Sequence, residues 1–368
     1  MHARGAAIAA AFSFSTRLLH AAGAASAGFP DAKSYRTEKV ADRVYAFISP
    51  ESNTQLVSGN SLVVIGDESV LVVDSGNFPT LARKMVAEIR RLTPLPVRYL
   101  VHTHWHPDHL MGDSTFQDAF PALTIVSTDF TRERIADSAP KYVRGPIEKG
   151  PAYLEKLRER LRTRKEADGS PMTPQAAKLQ EKAIADMELA ISEFGQSRPL
   201  LPALTFDRTL SVHLGRREVR LSFAGRANTG GDALVYVPDA KVLATGDVIV
   251  APTPYAFGSY PGEWIEVLRK VTSFGTVAIV PGHGPVMRDA TYASLLIQLL
   301  ESLRSQVAEA VRQGATLEEA RGRVDLESFR KRFAGHDPDR GRAFQDGFVV
   351  PAVERAYQEA KNVFAPED

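Results

Sequence analysis

Apolar residues along this chain fall into two rhythms. Short apolar-rich runs predict buried strands: Val70-Leu71-Val72-Val73, closing on Asp74-Ser75-Gly76 as a strand entering a turn would, then Val97–Val101 and Leu123–Ser127. Val44–Ile48 alternates, and Gln55–Ile65 carries Ser58-Gly59-Asn60 in its middle, where a bulge or turn is expected. Between them, Thr80–Arg91 repeats its apolar positions at helical spacing. Strand, helix, strand in this order predicts an α/β arrangement.

From about Thr131 to Ser197 only the helical rhythm remains. Leu154, Leu157 and Leu161 form one stripe, and Leu179, Ala183, Met187, Ile191 and Phe194 form a second. Between them Ala167-Asp168-Gly169-Ser170-Pro171 makes a turn, and Thr173 is an N-cap with Pro174 at the first helical position. A helical hairpin is therefore predicted as an insert over 131–197. Its stripes read as packing surface, and the charged run 155–166 as a solvated face. The strand rhythm returns in Leu210–Leu214, Glu218–Phe223, Ala233–Val237, Lys241–Thr245 and Val277–Val280. From Asp289 onward the chain is helical, with a capping box at Thr316 and Glu319. Two β-rich halves with flanking helices predict a layered two-sheet sandwich over 33–288, on which the helices of 289–368 pack.

The bulk properties narrow the function classes. Hydrophobic residues make up 44% and charged residues 24%, as in soluble globular chains. A formal net charge of +1 calls for neither nucleic acid nor an anionic membrane as partner, so a small-molecule substrate is expected. Homodimerisation through the helical stripes and packing of those stripes on the chain's own sandwich are both open. Arg4, the apolar stretch Ala6–Phe14 and the small-x-small site Ala25-Ser26-Ala27 make an imperfect signal peptide over 1–27, interrupted by Arg17 and His20. It points to a periplasmic or secreted protein.

The densest chemistry is Thr103-His104-Trp105-His106-Pro107-Asp108-His109, directly after the strand Val97–Val101. Alternate residues of an extended segment point to one side, so His104 and His106 can converge on one metal ion. Asp108 and His109 lie where the chain turns toward a helix at Leu110 and can point to a neighbouring position. Lone histidines are usually core or surface residues, but three imidazoles and a carboxylate within six positions form a metal-ligand cluster. The chain has no cysteine, so any transition-metal site must use His, Asp, Glu or Asn. His2, His20, His102, His213 and His336 lack a ligand-like context, and His102 is at most a support for a neighbouring ligand.

His-x-His-x-Asp-His after a buried strand resembles the signature of the metallo-β-lactamase superfamily. Asp74-Ser75-Gly76 is similar to that family's Asp after an early strand, Thr245-Gly246-Asp247 to its Gly-Asp after a later one, and Pro281-Gly282-His283-Gly284-Pro285 to its last histidine in a Gly-rich turn. The resemblance runs from about Val44 to Pro285, leaving out the helical insert. It implies a four-layer αββα sandwich with a two-metal site between the sheets. His104 and His106 would bind the first metal, Asp108, His109 and His283 the second, and Asp247 would bridge them. The implied metal is Zn2+, one or two per chain, with iron or manganese in some members. Asp108 would also orient the nucleophilic water or receive its proton, and Asp74 would hold an imidazole.

One position departs from the pattern. Before Thr-x-Gly-Asp the family normally has a histidine, the third ligand of the first metal; here Ala227-Asn228-Thr229-Gly230-Gly231-Asp232 puts Asn228 there. A carboxamide oxygen is a poorer zinc ligand than an imidazole. Asn228 then either ligates weakly, or leaves the first site empty beside a single metal at Asp108, His109, Asp247 and His283, or donates its NH2 to substrate as an oxyanion-type group.

The resemblance implies a metal-dependent hydrolase using a zinc-activated water on a small ester, amide, lactone or β-lactam-like substrate. A non-catalytic metal-binding paralogue and a mononuclear iron oxidoreductase of the same fold are the alternatives. β-Lactamases tend to carry Cys or Ser where this chain has Asp247, which weighs against the antibiotic reading. Beyond Asp247, Pro252, Pro254, Tyr255, Phe257, Tyr260 and Trp264 either line a pocket for an apolar or flat substrate or, at Trp264, start a helix and pack in the core. The loop Pro50–Ser58 falls where the family often has a flap.

Overall fold

The computed structural model describes residues 34–51 and 57–364. The expected signal peptide 1–27, with its Ala25-Ser26-Ala27 site, lies outside the described residues, as does most of the Pro50–Ser58 loop.

The first sheet takes its strands in chain order: β1 (Arg36–Ala41), β2 (Val44–Ile48), β3 (Ser61–Ile65), β4 (Val70–Val73), β5 (Val97–Val101), β6 (Thr124–Thr128) and β7 (Leu204–Phe206). It is antiparallel from β1 to β4 and parallel from β4 to β7. The second holds β8 (Thr209–Leu214), β9 (Arg217–Phe223), β10 (Ala233–Val237), β11 (Val242–Val250) and β12 (Ala278–His283), ordered β12-β11-β10-β9-β8. Only β11 and β12 run parallel there.

The uniformly apolar runs follow from burial of both sheet faces. In β4, Leu71 and Val73 point into a core shared with Val219, Val235 and Val280 of the second sheet. Their neighbours Val70 and Val72 point outward against Leu81, Met85 and Ile89 of α1 (Pro79–Leu92). After α1 come α2 (Asp113–Ala119), then α3 (Asp129–Thr163) and α4 (Pro174–Phe194), the two long helices of the insert. On the far face, Leu234, Leu243 and Ile279 pack under α5 (Pro261–Ser273), α6 (Thr291–Arg312) and the C-terminal helices. These are α7 (Leu317–Arg323), α8 (Glu327–Ala334), α9 (Pro338–Phe344) and α10 (Val350–Ala360), with a π-helical turn Gln345–Val349 joining the last two. Helix, sheet, sheet, helix is the predicted αββα order.

Several element ends differ from the sequence reading for physical reasons. The insert's first helix begins at Asp129, because Thr128 accepts the Thr131 N–H as its cap. Pro140, Pro146 and Pro151 lie inside α3 without ending it. Leu154 and Leu157 are buried along it, and Gly150 sits so close to Ile191 and Met187 of α4 that a Cβ would touch both. After the insert the chain first returns to the first sheet through β7, an element too short to show a period. The α1 N-terminus lacks a capping side chain of its own; buried Glu193 of α4 accepts from the Thr80 N–H at 3.0 Å and the Thr80 hydroxyl at 2.7 Å.

Candidate metal centre

The site gathers at the ends of β5, β11 and β12. After Val101 the chain bends over Thr103–Trp105, then makes a 3-10 turn over Pro107–His109 before α2. Asp247 comes from within β11, which continues to Val250 past an irregularity at Gly246, whose φ is 50° and where the register with β12 shifts. His283 closes β12.

The Asp247 carboxylate stands between two sets of imidazoles. Its Oδ1 is 3.3 Å from His109 Nε2 and 3.5 Å from His283 Nε2. Its Oδ2 is 3.5 Å from His104 Nε2 and 4.0 Å from His106 Nδ1. Asp108 Oδ2 lies 2.9 Å from His283 Nε2 and 3.3 Å from His109 Nε2. His104 Nε2 and His106 Nδ1 are 2.9 Å apart. Ligand atoms of His104, His109 and Asp247 all fall within 4.8 Å of one another, and so do those of Asp108, His109 and His283. The structure thus brings together all six residues expected as ligands.

Their partners decide which ring nitrogens face inward. The Thr103 hydroxyl donates to Asp74 Oδ2 at 2.8 Å, so its oxygen can accept from His104 Nδ1–H at 3.0 Å. His109 Nδ1–H donates to the same Asp74 oxygen at 2.8 Å. Nδ1 of both rings is engaged away from the centre, so Nε2 is the atom each ring turns inward, where a bound cation would displace any proton it carries. His109 Nε2 and Asp247 Oδ1 are buried without a hydrogen-bond partner among the described residues. Convergent, buried, partnerless N and O donors fit a zinc-type cation.

The buried charges of the centre act strongly on one another. Burial pushes His104 down to about 4, reinforced by the charge of His109, so its ring is neutral. Burial alone would raise Asp108 and Asp247, yet the rings of His109 and His283 hold both carboxyls well below the usual range. Burial likewise opposes protonation of His109 and His283, and the surrounding carboxylates overcome it.

Glycines make this approach possible. A Cβ at Gly59 would overlap the His109 ring, and one at Gly282 would overlap Asp247 Oδ1. Asp74 itself takes the left-handed conformation at φ 59°, a strained backbone fixed by the hydrogen bonds it makes.

Asn228 is 1% exposed, and neither its Oδ1 nor its Nδ2 has a partner among the described residues. Its loop is held by Asp232, which accepts from the Thr229 N–H at 2.7 Å, and ends where the Ala233 N–H meets Thr103 O at 2.7 Å, beside His104. His102 does not reach the centre: its Nε2 lies 3.2 Å from Asp113 Oδ2 in a buried pair that Ser75 and the Leu200 N–H also join. Of the aromatic candidates, Trp264 is core, donating its indole N–H to Val248 O at 3.0 Å. Tyr255 is exposed.

Sequence reasoning missed three positions that organise the centre and the buried pair beside it. Thr103 orients His104, and Asp113 anchors His102. Asn60 clamps the His283 turn, donating through Nδ2 to Pro281 O and Gly284 O, both at 2.9 Å. The only available signal was the Ser58-Gly59-Asn60 punctuation, which reads as a turn.

Residues 54–283 match the family model described as the Metallo-beta-lactamase superfamily, and the chain belongs to that superfamily. Over 307 residues it is 22% identical to a linear primary-alkylsulfatase of a Pseudomonas species, covering 79% of this chain and 53% of that protein. Among solved structures, a stereoselective inverting sec-alkylsulfatase from Pseudomonas sp. superposes with TM-score 0.60 at 15% identity, covering 88% of this chain and 50% of that one. A metallo-beta-lactamase from Pontibacter korlensis superposes with TM-score 0.52 at 17% identity, covering 73% and 99%. The chain therefore spans about half the length of the alkylsulfatases it matches.

Proposed function

We propose that the chain is a metal-dependent hydrolase of esters, with sulfate monoesters of alcohols as the substrate class to test first. The observation that carries the reading is the Asp247 carboxylate, one oxygen toward His109 and His283 and the other toward His104 and His106. The sulfate ester class is supported by the two alkylsulfatase relatives, which match 79% and 88% of this chain, against 73% for the β-lactamase structure.

His104, His106 and Asp247 Oδ2 would hold one ion, and Asp108, His109, His283 and Asp247 Oδ1 a second. Zinc suits this all-nitrogen-and-oxygen donor set. When bound, such a metal supplies Lewis acidity, which makes a water nucleophilic near neutral pH and polarises the ester. The chain's own residues do the rest. The Asp108 side chain, 17% exposed, is the more open of the two central carboxylates and can accept the proton of the attacking water. Asn228 Nδ2–H is free to donate to an oxygen on which charge develops. Asp74 holds His109 in one tautomer throughout.

The test is turnover of 4-nitrophenyl sulfate, decyl sulfate, 4-nitrophenyl acetate and a chromogenic cephalosporin by protein loaded separately with zinc, manganese or iron. Ester hydrolysis that disappears on chelation and in His109→Ala supports the reading. Failure to cleave any ester in all three metal forms overturns it.

A further inference from the structure

The segment after Asp247 leaves β11 beside a ligand and does not come back to the sheet until β12. Val250 pairs in register with His283, and the Ala251 N–H donates to His283 O at 3.1 Å. From there to α5 the loop is pinned by elements that lie beyond the family-matched residues 54–283. Tyr292 of α6 donates its hydroxyl to Pro252 O at 3.1 Å and also contacts Val250 O. The Ala256 N–H donates to Gly347 O in the π-helical turn at 3.0 Å, and Arg355 Nε of α10 donates to Ser259 O at 2.7 Å.

In the middle of this tightly held loop, Tyr255 is 45% exposed. Its ring lies against the Gly347 backbone, where a Cβ would be 3.7 Å from Cε2 and Cζ, and 5.4 Å from the Phe257 ring centroid. Burial of part of the side chain pushes its phenol up, and the negative charges of Asp108 and Asp247 push the same way. Because the loop is held on both sides, at His283 through Ala251 and at α10 through Ser259, the position of this ring relative to the centre is fixed.

We propose that Tyr255 is a substrate-contacting residue whose ring receives the apolar organic group of the ester, and that the C-terminal helices exist in part to hold it there. This rests on the ester-hydrolase reading above. It predicts selectivity for substrates with a long alkyl or aryl group, because a short group would not reach the ring. Burying alkyl surface against one aromatic face supports about a tenfold preference.

Turnover and binding are measured separately. Tyr255→Ala is expected to raise KM for decyl sulfate about tenfold, leave kcat within about twofold, and leave methyl sulfate kinetics and metal content unchanged. Tyr255→Phe, which keeps the ring, is expected to match the wild type. Equilibrium binding of decanesulfonate, which cannot be hydrolysed, should weaken by a similar factor in Tyr255→Ala. If the wild type cleaves no ester but decanesulfonate binding still depends on Tyr255, the hydrolase reading fails and this one stands. If esters are cleaved with the same KM in Tyr255→Ala, or if decanesulfonate does not bind the wild type, the assignment of Tyr255 is overturned.

Discussion

Asp74 Oδ2 lies 2.8 Å from His109 Nδ1, and the same oxygen accepts the hydroxyl of Thr103, which in turn faces His104 Nδ1. One buried carboxylate oxygen thereby sets the tautomer of two candidate ligands on different sides of Asp247.

Asp74→Asn should preserve the fold and weaken metal binding about ten- to a hundredfold. The amide can no longer accept from both partners through one charged oxygen. Chelator competition followed by elemental analysis checks this. Unaltered affinity would show that the tautomers are set by something else.

Asp247→Ala and His106→Ala should separate the two halves of the centre. Asp247 offers an oxygen to both donor sets, so its loss should leave purified protein with little bound metal. His106 lies 4.0 Å from Asp247 Oδ2 and is absent from the Asp108–His109–His283 grouping, so its loss should spare one ion. Metal content per chain after dialysis distinguishes the outcomes. Equal loss in both variants would mean that the sites fill only together.

Asn228 carries a cost that its function must justify. A buried amide with no partner destabilises the fold by about 1–3 kcal/mol relative to an apolar side chain of similar size. Asn228→Leu should therefore raise the unfolding free energy of metal-free protein while lowering turnover, and Asn228→His should tighten metal binding on the His104–His106 side. Urea unfolding of the metal-free chain reads the first effect. If Asn228→Leu is both less stable and fully active, the amide neither strains the fold nor serves the reaction.

Acid should loosen the molecule at a place remote from the centre. Asp67, in the β3–β4 turn, accepts from Arg216 Nε at 2.9 Å and Arg43 Nη1 at 3.1 Å, which pull its carboxyl from 3.8 to about 2. Because the folded value is the lower one, the ionised group stabilises the fold fully above the unfolded value. That contribution fades as pH falls through the folded value. Asp67→Asn should thus lower Tm at neutral pH, with the difference from wild type shrinking as pH falls toward the folded value of about 2 and vanishing below it. A Tm difference that persists undiminished into strong acid would mean the contact is not ionic.

Much of this was legible in the sequence where both faces of an element are buried. Val97–Val101 and Ala233–Val237 coincide with β5 and β10, since predominant burial leaves short, mostly apolar runs with sharp ends. β1 was not read, because its residues Arg36–Ala41 are mostly polar and exposed at the sheet edge. The continuation of β11 past Gly246 was hidden by a glycine that reads as punctuation but serves close packing on Thr103. The six candidate ligands were visible because metal donors are few in kind and clustered. Thr103, Asn60 and Asp113 were not, because their roles depend on neighbours distant in sequence.

The C-terminal helices fasten to two segments far apart in the chain, through Arg340 of α9, which grips Glu51 at 2.7–2.8 Å, and through Gly347, which holds Ala256. Phe344, Phe348 and Val353 also share one core with Leu234, Leu243 and Ile279 of the second sheet. The tail and the sandwich therefore have no separate melting to undergo. Heat should take them apart in a single calorimetric transition, and a chain cut after β12 would lose the partner that closes its own hydrophobic face.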